Sequence, residues 1–464
     1  MARRTRVLII AIIVSFIAFL DGAVINVALP SLAEELGGGL ALQQWAVDAY
    51  LLTLGAFILL AGSLSDSFGR ARMIRIGLYG FGITSIACAM APDGVFFVVA
   101  RALQGAAGAL LVPSSLALIV ATFPLAEQGK AIGRWTAWTT VAFLIGPLFG
   151  GILVDLVSWR LVFWINVIPI VVALVMLRGI ARDEPAGDHA PIDWVGAALC
   201  VVGLGGTVFA LIEGERLGWG SPLVVVPLVV GVVALVVFVW WEHRTPQPML
   251  PLSLFRARNF AAGNLATLFI YAAFSLGPFA ITIFLQEFAG FTATAAGLAT
   301  LPPTIMLVLL GSWFGGLSTR FGPRIFMTLG PMTVAVGYLM TLAVSAELAF
   351  WTEMLPGIVV SGLGMAITVA PLTAAILGAV DPARAGIGSA VNNAVARIAG
   401  LVAIASIGVI VGSALDVAGY HRVAIATAAL LVVGGVVSWL GIRNPPQAAR
   451  AAESSPATSA SPEE

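Results

Sequence analysis

The stretch GSLSDSFGRARMI, residues 62–74, has a second copy in the same chain: GGLSTRFGPRIFM, residues 315–327. Both copies contain Gly-x-Leu-Ser, then Phe-Gly, then an arginine. Each copy leaves one long apolar run and leads into the next. Convergent composition of two loops is one explanation, but duplication of a larger unit explains the matching order of residues better.

The composition places these runs in a membrane. The chain has 464 residues, of which 60% are hydrophobic and 10% charged, and its mean hydropathy is +1.03. Soluble domains are about 25% charged. A membrane-spanning helix needs about 20 mostly apolar residues, and the strand-like alternation of a membrane barrel does not occur in these runs. We therefore predict an all-α membrane protein with fourteen transmembrane helices. The predicted spans are 8–29, 44–63, 74–92, 95–120, 134–156, 161–180, 194–213, 222–241, 261–285, 296–316, 325–344, 351–377, 387–413 and 422–441.

The repeat predicts how these helices are grouped. Duplicated helical units are common in secondary transporters, and the two copies follow the second span and the tenth. Spans 1–6 and 9–14 then form two six-helix bundles, and spans 7 and 8 are an inserted pair. The predicted domains are an N-terminal bundle (1–185), the inserted pair with its linkers (186–258), a C-terminal bundle (259–443) and a disordered cytoplasmic tail (444–464).

The distribution of charge predicts the orientation. Positive residues collect on the cytoplasmic side of a membrane, and fourteen spans with both termini inside place most of the 23 lysines and arginines there. We expect a multi-pass protein of the cytoplasmic membrane whose first helix is retained and whose surroundings are the lipid bilayer. The net charge of zero gives no case for nucleic-acid binding. Cys88 and Cys200 both fall inside spans, which makes a disulfide or a metal site improbable.

Enzymatic chemistry finds no support in the motifs. The histidines are His189, His243 and His421, all near the ends of predicted helices, and neither HExxH nor GxSxG occurs. There is no phosphate-binding loop for an ATP-driven pump. We therefore predict no enzyme, no catalytic residues, no metal and no cofactor.

Five stretches, in order along the chain, resemble one family. They are LDGAVINVALP (20–30), GSLSDSFGRAR (62–72), RALQGAAGA (101–109), GRWTAWTTVAFLIGPLFGG (133–151) and AGIGSAVNNAVARIAG (385–400). The chain resembles the major facilitator superfamily, and within it the fourteen-span drug:proton antiporter family. It departs from the family pattern at Ala23, Ser67 and Ala142, where threonine, a basic residue and glycine are usual.

The resemblance implies a function. It implies a major facilitator fold that exports hydrophobic or cationic drugs or metabolites in exchange for protons, with the proton gradient as energy source. We expect a monomer. Two alternatives remain open: an exporter of lipids or amphiphiles, and a narrow-specificity metabolite importer of the same fold.

The fifth span carries the motif that the resemblance assigns to exporters. Its residues are Gly133, Gly146, Pro147, Gly150 and Gly151. Small residues let two membrane helices approach closely, and a proline inside a helix bends it. A helix of this kind could pack tightly in one state and flex in another. Helix packing without a directional role is the alternative.

Charges inside the membrane are functional candidates, because they are costly there. Asp21 in span 1 and Arg101 in span 4 lie at similar depth in the outer half, by the helical rise. We interpret them as a proton switch in which a cationic or polar substrate competes with the proton. A static pair is the alternative. Arg397 lies near the midplane of span 13 and needs a partner, for which Asp21 and Asp48 are candidates. Its role is either coupling or structural.

Two further groups follow from the resemblance. The loop residues Asp66, Gly69, Arg70 and Arg72 are implied to form a cytoplasmic gate, with a solvated turn as the alternative. Helices 1, 4, 9 and 12 are implied to line the substrate cavity, and methionine and aromatic walls suit adaptable apolar binding. The substrate-binding candidates on those helices are Asn26, Gln104, Phe274, Phe279, Met354 and Met365.

Overall fold

The computed structural model describes residues 3–179, 192–381, 384–412 and 415–444, without the side chains of residues 66, 125 and 126. The predicted disordered tail lies outside these residues apart from Asn444. The described part of the chain is helical and contains no strands. Its α-helices are α1 (Arg3–Leu36), α2 (Gly39–Phe68), α3 (Arg70–Ala89), α4 (Gly94–Ala109), α5 (Leu111–Thr122), α6 (Leu125–Leu156), α7 (Leu161–Trp164), α8 (Val167–Leu177), α9 (Trp194–Leu217), α10 (Pro222–Arg244), α11 (Arg258–Ile283), α12 (Ala293–Ala299), α13 (Leu301–Phe321), α14 (Pro323–Met340), α15 (Phe350–Glu353), α16 (Leu355–Leu377), α17 (Ala385–Ala405), α18 (Ile407–Val411) and α19 (Val417–Gly441). Shorter turns are Leu252–Arg256 and Thr341–Ala343, both 3₁₀, and Phe284–Phe288, a π-helix.

The two copies of the repeat have the same local structure. The first forms the turn between α2 and α3, where Gly69 has φ 90° and ψ 131°. The second forms the turn between α13 and α14, where Gly322 has φ 86° and ψ 152°. Residues with a Cβ rarely adopt this conformation, so glycine is needed in both turns.

Helix packing follows the same duplication. In the first group, α1 packs on α6, α2 on α4, and α3 on α8. In the second group, α11 packs on α17, α13 on α16, and α14 on α19. We call these groups the first bundle (α1–α8) and the second bundle (α11–α19). The bundles meet where α2 packs on α17 and where α6 packs on α12.

The helices α9 and α10 form a hairpin beside the bundles. α9 packs on α2, α17 and α18, whereas the main packing partner of α10 is α9. Much of the valine-rich surface of α10 is exposed. An apolar helix with one protein partner suits contact with lipid.

The predicted count of fourteen spans is not supported. Twelve helices of the described residues are long and apolar enough to cross a membrane. The predicted span 74–92 corresponds to α3, whose first turns contain Arg70, Arg72 and Arg75, so that its apolar stretch is too short. The predicted span 161–180 is the shorter apolar segment Leu161–Leu177, which breaks between α7 and α8.

Arginines cluster at one end of both bundles, which we call the basic end. Their guanidinium groups donate to backbone carbonyls at the ends of neighbouring helices. These contacts are favourable because the C-terminal end of a helix carries a partial negative charge. The pairs at this end are Arg6 with Gly179, Arg75 with Leu177, Arg258 with Leu440, and Arg324 with Trp439.

Candidate functional site

A cavity of about 650 Å³ lies between the two bundles. Helices α1, α2, α6, α11, α13, α14, α16 and α17 contribute most of its walls. The walls are mainly apolar, with asparagine, tyrosine, serine and threonine side chains among them. This size and composition are typical of sites for small organic molecules.

The charged residues of the described cavity wall are Arg101 and Arg397, and the wall contains no aspartate or glutamate. A cationic substrate would therefore find no counter-charge in the wall itself. The expectation of a cationic substrate thus gains no support from this geometry, whereas a hydrophobic substrate suits the walls.

The structure brings the two predicted switch residues together. The Nη1 atom of Arg101 donates to Oδ2 of Asp21 at 2.6 Å, and both residues are fully buried. Nε of Arg101 donates to the carbonyl of Ala46 at 2.9 Å. The Arg101 guanidinium also lies 4.4 Å from the centre of the Tyr50 ring. Buried charges persist when they are paired and hydrogen-bonded in this way.

A shell of amides completes the pair. Gln104 and Asn166 each donate to Oδ1 of Asp21 at 3.0 Å, and both amides also bond the hydroxyl of Ser85. Asn166 lies in the break between α7 and α8. The same break that shortens the predicted sixth span therefore positions a donor on Asp21.

Arg397 has no comparable shell. It lines the cavity from the middle of α17 and is partly exposed there. Its Cβ packs 3.6 Å from the Cβ position of Gly55 on α2. Among the described residues it forms no ion pair, and its ionisable neighbours are Tyr50 and Tyr271. The structure therefore pairs Arg397 with neither of its candidate partners.

Asp48, one of the two candidate partners of Arg397, does not pair with it. It is fully buried on α2, and both of its carboxyl oxygens lack a hydrogen-bond partner among the described residues. A buried carboxylate without partners is unfavourable unless it is protonated. Asp48 is therefore buried in the protein and is not the ion-pair partner of Arg397.

Half of the predicted substrate residues line the cavity. Asn26, Phe274 and Met365 do so. The side chain of Gln104 is turned to Asp21 instead, and Phe279 and Met354 are buried in the apolar core that joins the bundles. These three do not line the cavity because the prediction chose helices and not helix faces, and their part in substrate binding stays a prediction.

The sequence analysis missed two tyrosines of the cavity wall. Tyr50 lies on α2, which the resemblance did not include among lining helices. Tyr271 lies on α11, one turn before Phe274, and the two ring centres are 5.7 Å apart. The spacing 271, 274, 275 and 278 follows one face of a helix. That periodicity could have identified Tyr271.

The exporter motif forms close contacts on both sides of α6. A Cβ on Gly146 would lie 2.7 Å from Cβ of Ala23 on α1. A Cβ on Gly151 would lie 2.5 Å from Cα of Thr294 on α12, in the other bundle. These distances are too short for any side chain, so the glycines let α6 touch both neighbours.

The other three members of the motif differ in how closely they pack against neighbouring helices. Gly150 packs on Val24 of α1, and the carbonyl of Pro147 lies 2.3 Å from the Cβ position of Gly297 on α12. Gly133, at the opposite end of α6, has nothing within 4 Å of its Cβ position. The predicted close packing is therefore absent at Gly133.

The bundles are joined at the end opposite the basic end, which we call the sealed end. Here two side chains of the first bundle cap helix ends of the second. The Asp155 carboxylate accepts from the backbone N–H groups of Ala293 and Thr294, at the start of α12, at 2.9 and 2.8 Å. Nε2 of Gln44 donates to the carbonyls of Ile404 and Ala405, at the end of α17, at 2.9 Å each.

The cavity opens toward the basic end. Thr373 and Ser389 line it near that end and are exposed. At the sealed end, one apolar core contains residues of both bundles, including Val24, Leu29 and Phe284. The structure is therefore a state that is accessible from one side.

The predicted gate lies at the basic end, in the turn between α2 and α3. Gly69 occupies the strained position of this turn, and Arg70 and Arg72 begin α3. The side chain of Asp66 is outside the described residues.

Known proteins share this sequence pattern and architecture. Residues 11–404 match the family model described as Major Facilitator Superfamily. The chain belongs to this superfamily. The proteins that it resembles include named transporters and an export protein.

Two relatives of this chain are named as resistance proteins. The chain is 33% identical over 403 residues to "Multidrug resistance protein Stp" of Mycobacterium tuberculosis (strain ATCC 25618 / H37Rv), covering 86% of this chain and 74% of the relative. It is 33% identical over 434 residues to "Methylenomycin A resistance protein" of Streptomyces coelicolor (strain ATCC BAA-471 / A3(2) / M145), covering 92% and 90%.

Solved structures of the superfamily share the fold. The peptide transporter POT superposes with a TM-score of 0.70 at 14% identity, over 93% of each chain. The xylose transporter XylE of E. coli superposes with a TM-score of 0.66 at 16% identity, over 96% of this chain and 99% of that one. The major facilitator fold is thus confirmed.

Proposed function

We propose that this protein exports hydrophobic, antibiotic-like molecules across the cytoplasmic membrane in exchange for protons. The buried Asp21–Arg101 pair carries the proposal, because it joins a protonatable group to the wall of the central cavity. The resistance in the names of two relatives, and the export in the name of a third, "Tetracenomycin C resistance and export protein" of Streptomyces glaucescens, support the direction of transport.

The pair supplies a route from proton to cavity. With Asp21 ionised, its charge is balanced by Arg101 at 2.6 Å. A proton on Asp21 removes that balance and leaves a buried arginine with only neutral acceptors. An uncompensated buried charge costs several kcal/mol. Protonation therefore favours a conformation in which Arg101 finds other partners.

Arg101 passes this change to the substrate site. Both residues are fully buried, but of the two only Arg101 belongs to the cavity wall. A substrate in the cavity therefore meets Arg101 and not the proton acceptor itself. Proton and substrate are coupled through one side chain and through the movement of the bundles.

Alternating access completes the cycle. We propose that the bundles (1–185 and 259–443) rock about the cavity, and that the sealed end opens as the basic end closes. The basic end faces the cytoplasm in this proposal, because arginines concentrate there. Both termini then lie inside, and the lipid bilayer surrounds the bundles and the α9–α10 hairpin.

We propose that a glycine of the exporter motif, Gly151, lets the two bundles meet at the sealed end. Because Gly151 leaves no room for a side chain against Thr294, Gly151→Ala should hinder sealing. Gly133→Ala is a matched control on the same helix with free space around it. Greater accessibility of the cavity from outside in Gly151→Ala than in Gly133→Ala would support this role.

Purified protein in liposomes tests the function. An acidic lumen supplies the gradient, and uptake of matched neutral, anionic and cationic hydrophobic dyes is followed. We expect the gradient to drive uptake of the neutral dye. Asp21→Asn should abolish the driven part, while Glu347→Gln, an exposed acid on a loop, should retain it.

Other outcomes would overturn parts of the proposal. Full gradient-driven uptake in Asp21→Asn would remove Asp21 as the coupling group. Dye movement in the same direction as the protons would indicate an importer. If no dye moves under any gradient, drug export fails, and movement of labelled phospholipid between leaflets then tests the lipid exporter.

A further inference from the structure

A second pair of acids lies outside the central cavity, at the base of the α9–α10 hairpin. Asp193 precedes the first residue of α9, and Glu242 lies in the last turn of α10. Their exposed fractions are 8% and 2%. No ion pair involves either residue in the described part of the chain.

Each acid uses one carboxyl oxygen in ordinary hydrogen bonds. Oδ1 of Asp193 accepts from the backbone N–H of Gly196 at 2.8 Å and from Nε1 of Trp241 at 2.9 Å. Oε2 of Glu242 accepts from the backbone N–H of Leu250 at 2.8 Å. These bonds fix the orientation of both carboxyl groups.

The remaining oxygens face the same small space. Asp193 Oδ2 and Glu242 Oε1 have no donor among the described residues. They lie 2.5 and 2.6 Å from the point where a Cβ on Gly196 would stand. The two oxygens therefore lie no farther apart than the sum of these two distances, about 5.1 Å.

Two ionised carboxylates cannot occupy this space favourably. Ionised carboxyl groups only accept hydrogen bonds, and two like charges at this separation repel strongly in a buried site. One proton shared by the two oxygens removes the repulsion and supplies the missing donor, because the protonated group donates to the ionised one.

Among the described residues, which leave out 180–191, the nearby charged and titratable groups do not replace that proton. Arg256 and His243 line a groove of about 410 Å³ with Glu242, but neither forms an ion pair with it. Arg244 ends α10, and its guanidinium lies over the Trp240 ring. Cys200, about two turns further along α9, is also buried.

Glu242 also holds the chain that leads to the second bundle, residues 245–257, which we call the linker strap. Met249 belongs to the apolar cluster that contains Leu60 of α2, in the first bundle. Leu254 belongs to the cluster that contains Phe260 of α11, in the second bundle. The strap thus touches both bundles at the end where the cavity opens.

We propose that Asp193 and Glu242 together bind one proton, and that this proton fastens the linker strap to the base of the hairpin. With the proton present, Glu242 stays beside Asp193 and accepts from Leu250. Without it, repulsion turns Glu242 into the groove toward Arg256, and the bond to Leu250 breaks. The strap is then held at acidic pH and released at alkaline pH. This inference does not depend on the proposed transport function.

Infrared difference spectroscopy of the full-length protein in lipid detects the shared proton directly. We expect native protein minus Glu242→Gln to show the C=O band of one protonated carboxyl group at neutral pH, and the band to disappear on alkaline titration. Asp193→Asn should remove the same band, since its amide donates to Glu242 without a proton. Absence of the band from both difference spectra would overturn the proposal.

Hydrogen exchange of the strap tests the consequence. After correction for intrinsic exchange rates, the Leu250 amide of the native protein should exchange at least tenfold faster at alkaline than at neutral pH. In Asp193→Asn this exchange rate should change much less with pH, because the new amide donates to Glu242 and keeps the linker strap fastened at both pH values. Glu215→Gln, an exposed acid of α9 near the opposite end, is the control and should behave as native protein.

Two results of the exchange experiment would contradict the proposal. Equal exchange at both pH values in native protein would overturn the strap role. The same pH dependence in Asp193→Asn as in native protein would overturn the assignment to this pair. Because Asn still caps α9, the Asp193→Asn comparison does not rely on a variant that loses its helix start.

Discussion

Arg101 and Arg397 line one cavity from opposite bundles, yet their surroundings differ completely. Arg101 is fully buried, with Asp21, Gln104, Ala46 and the Tyr50 ring around its guanidinium. Arg397 is partly exposed and has no ion pair among the described residues.

The difference separates two tasks. A charge that is already paired can respond only when its partner changes, so in the proposed mechanism Arg101 responds to a proton on Asp21. An arginine that still has free donors can bind acceptor groups on whatever enters the cavity. In the proposed mechanism, the first bundle takes up the proton and passes its effect to the cavity through Arg101, whereas Arg397 of the second bundle binds the substrate.

The largest expected effect comes from Arg101→Met. It leaves the Asp21 carboxylate buried without its counter-charge, and such a loss costs about 3–5 kcal/mol. The free energy of unfolding in mixed micelles measures this. Adding Asp21→Asn to Arg101→Met should restore most of the stability, because no buried charge then remains. A loss below about 1 kcal/mol in Arg101→Met would contradict the contrast between the two arginines.

Arg397→Gln should affect binding and not folding. We expect substrate affinity to fall about tenfold, which is about 1.4 kcal/mol, because hydrogen-bond donors are lost from the wall. The unfolding free energy should change by less than about 1 kcal/mol. Equilibrium binding of a transported dye to the detergent-solubilised protein measures the first quantity. The exposed Arg178→Gln serves as control, and a large loss of stability in Arg397→Gln would make it structural.

Tyr50 lies beside both arginines and offers a smaller effect. Tyr50→Leu removes a ring that stacks on Arg101 at 4.4 Å, and buried cation–π contacts contribute about 1–2 kcal/mol. Tyr50→Phe keeps the ring and should retain most of that stability. Thermal unfolding of the two variants separates ring from hydroxyl. Equal destabilisation by both substitutions would show that the hydroxyl matters and the stacking does not.

The smallest expected effect concerns Asp48 and Arg397. Since the structure does not pair them, the double-mutant cycle of Asp48→Asn and Arg397→Gln should give a coupling below about 0.5 kcal/mol in unfolding free energy. A coupling above about 1.5 kcal/mol would mean that the two residues form a pair in a populated conformation. That result would end the contrast between a partnered and a free arginine.

Sequence could predict features that depend on order and spacing along one helix. The repeat predicted two equivalent turns, and Gly69 and Gly322 have matching dihedral angles there. The helical rise placed Asp21 and Arg101 at one depth, and they lie 2.6 Å apart. The motifs identified the superfamily, which the family model confirms.

Features that depend on rotation about a helix, or on distant contacts, could not be predicted. Met354 and Phe279 lie on the expected helices but point into the core. Asn166 reaches Asp21 only because a helix breaks, which hydropathy does not show. Asp193 and Glu242 are far apart in sequence and meet through the α9–α10 hairpin.

The sealed end is held by caps that cross between the bundles, and water has to replace them when it opens. Separation would expose the N–H groups of Ala293 and Thr294 and the carbonyls of Ile404 and Ala405. Each such group must then be hydrated, because unpaired backbone groups are costly. Opening therefore takes up solvent at this end of the molecule, so lower water activity opposes the separation of these caps. Osmotic stress acts on this conformational equilibrium without touching the proton or the substrate.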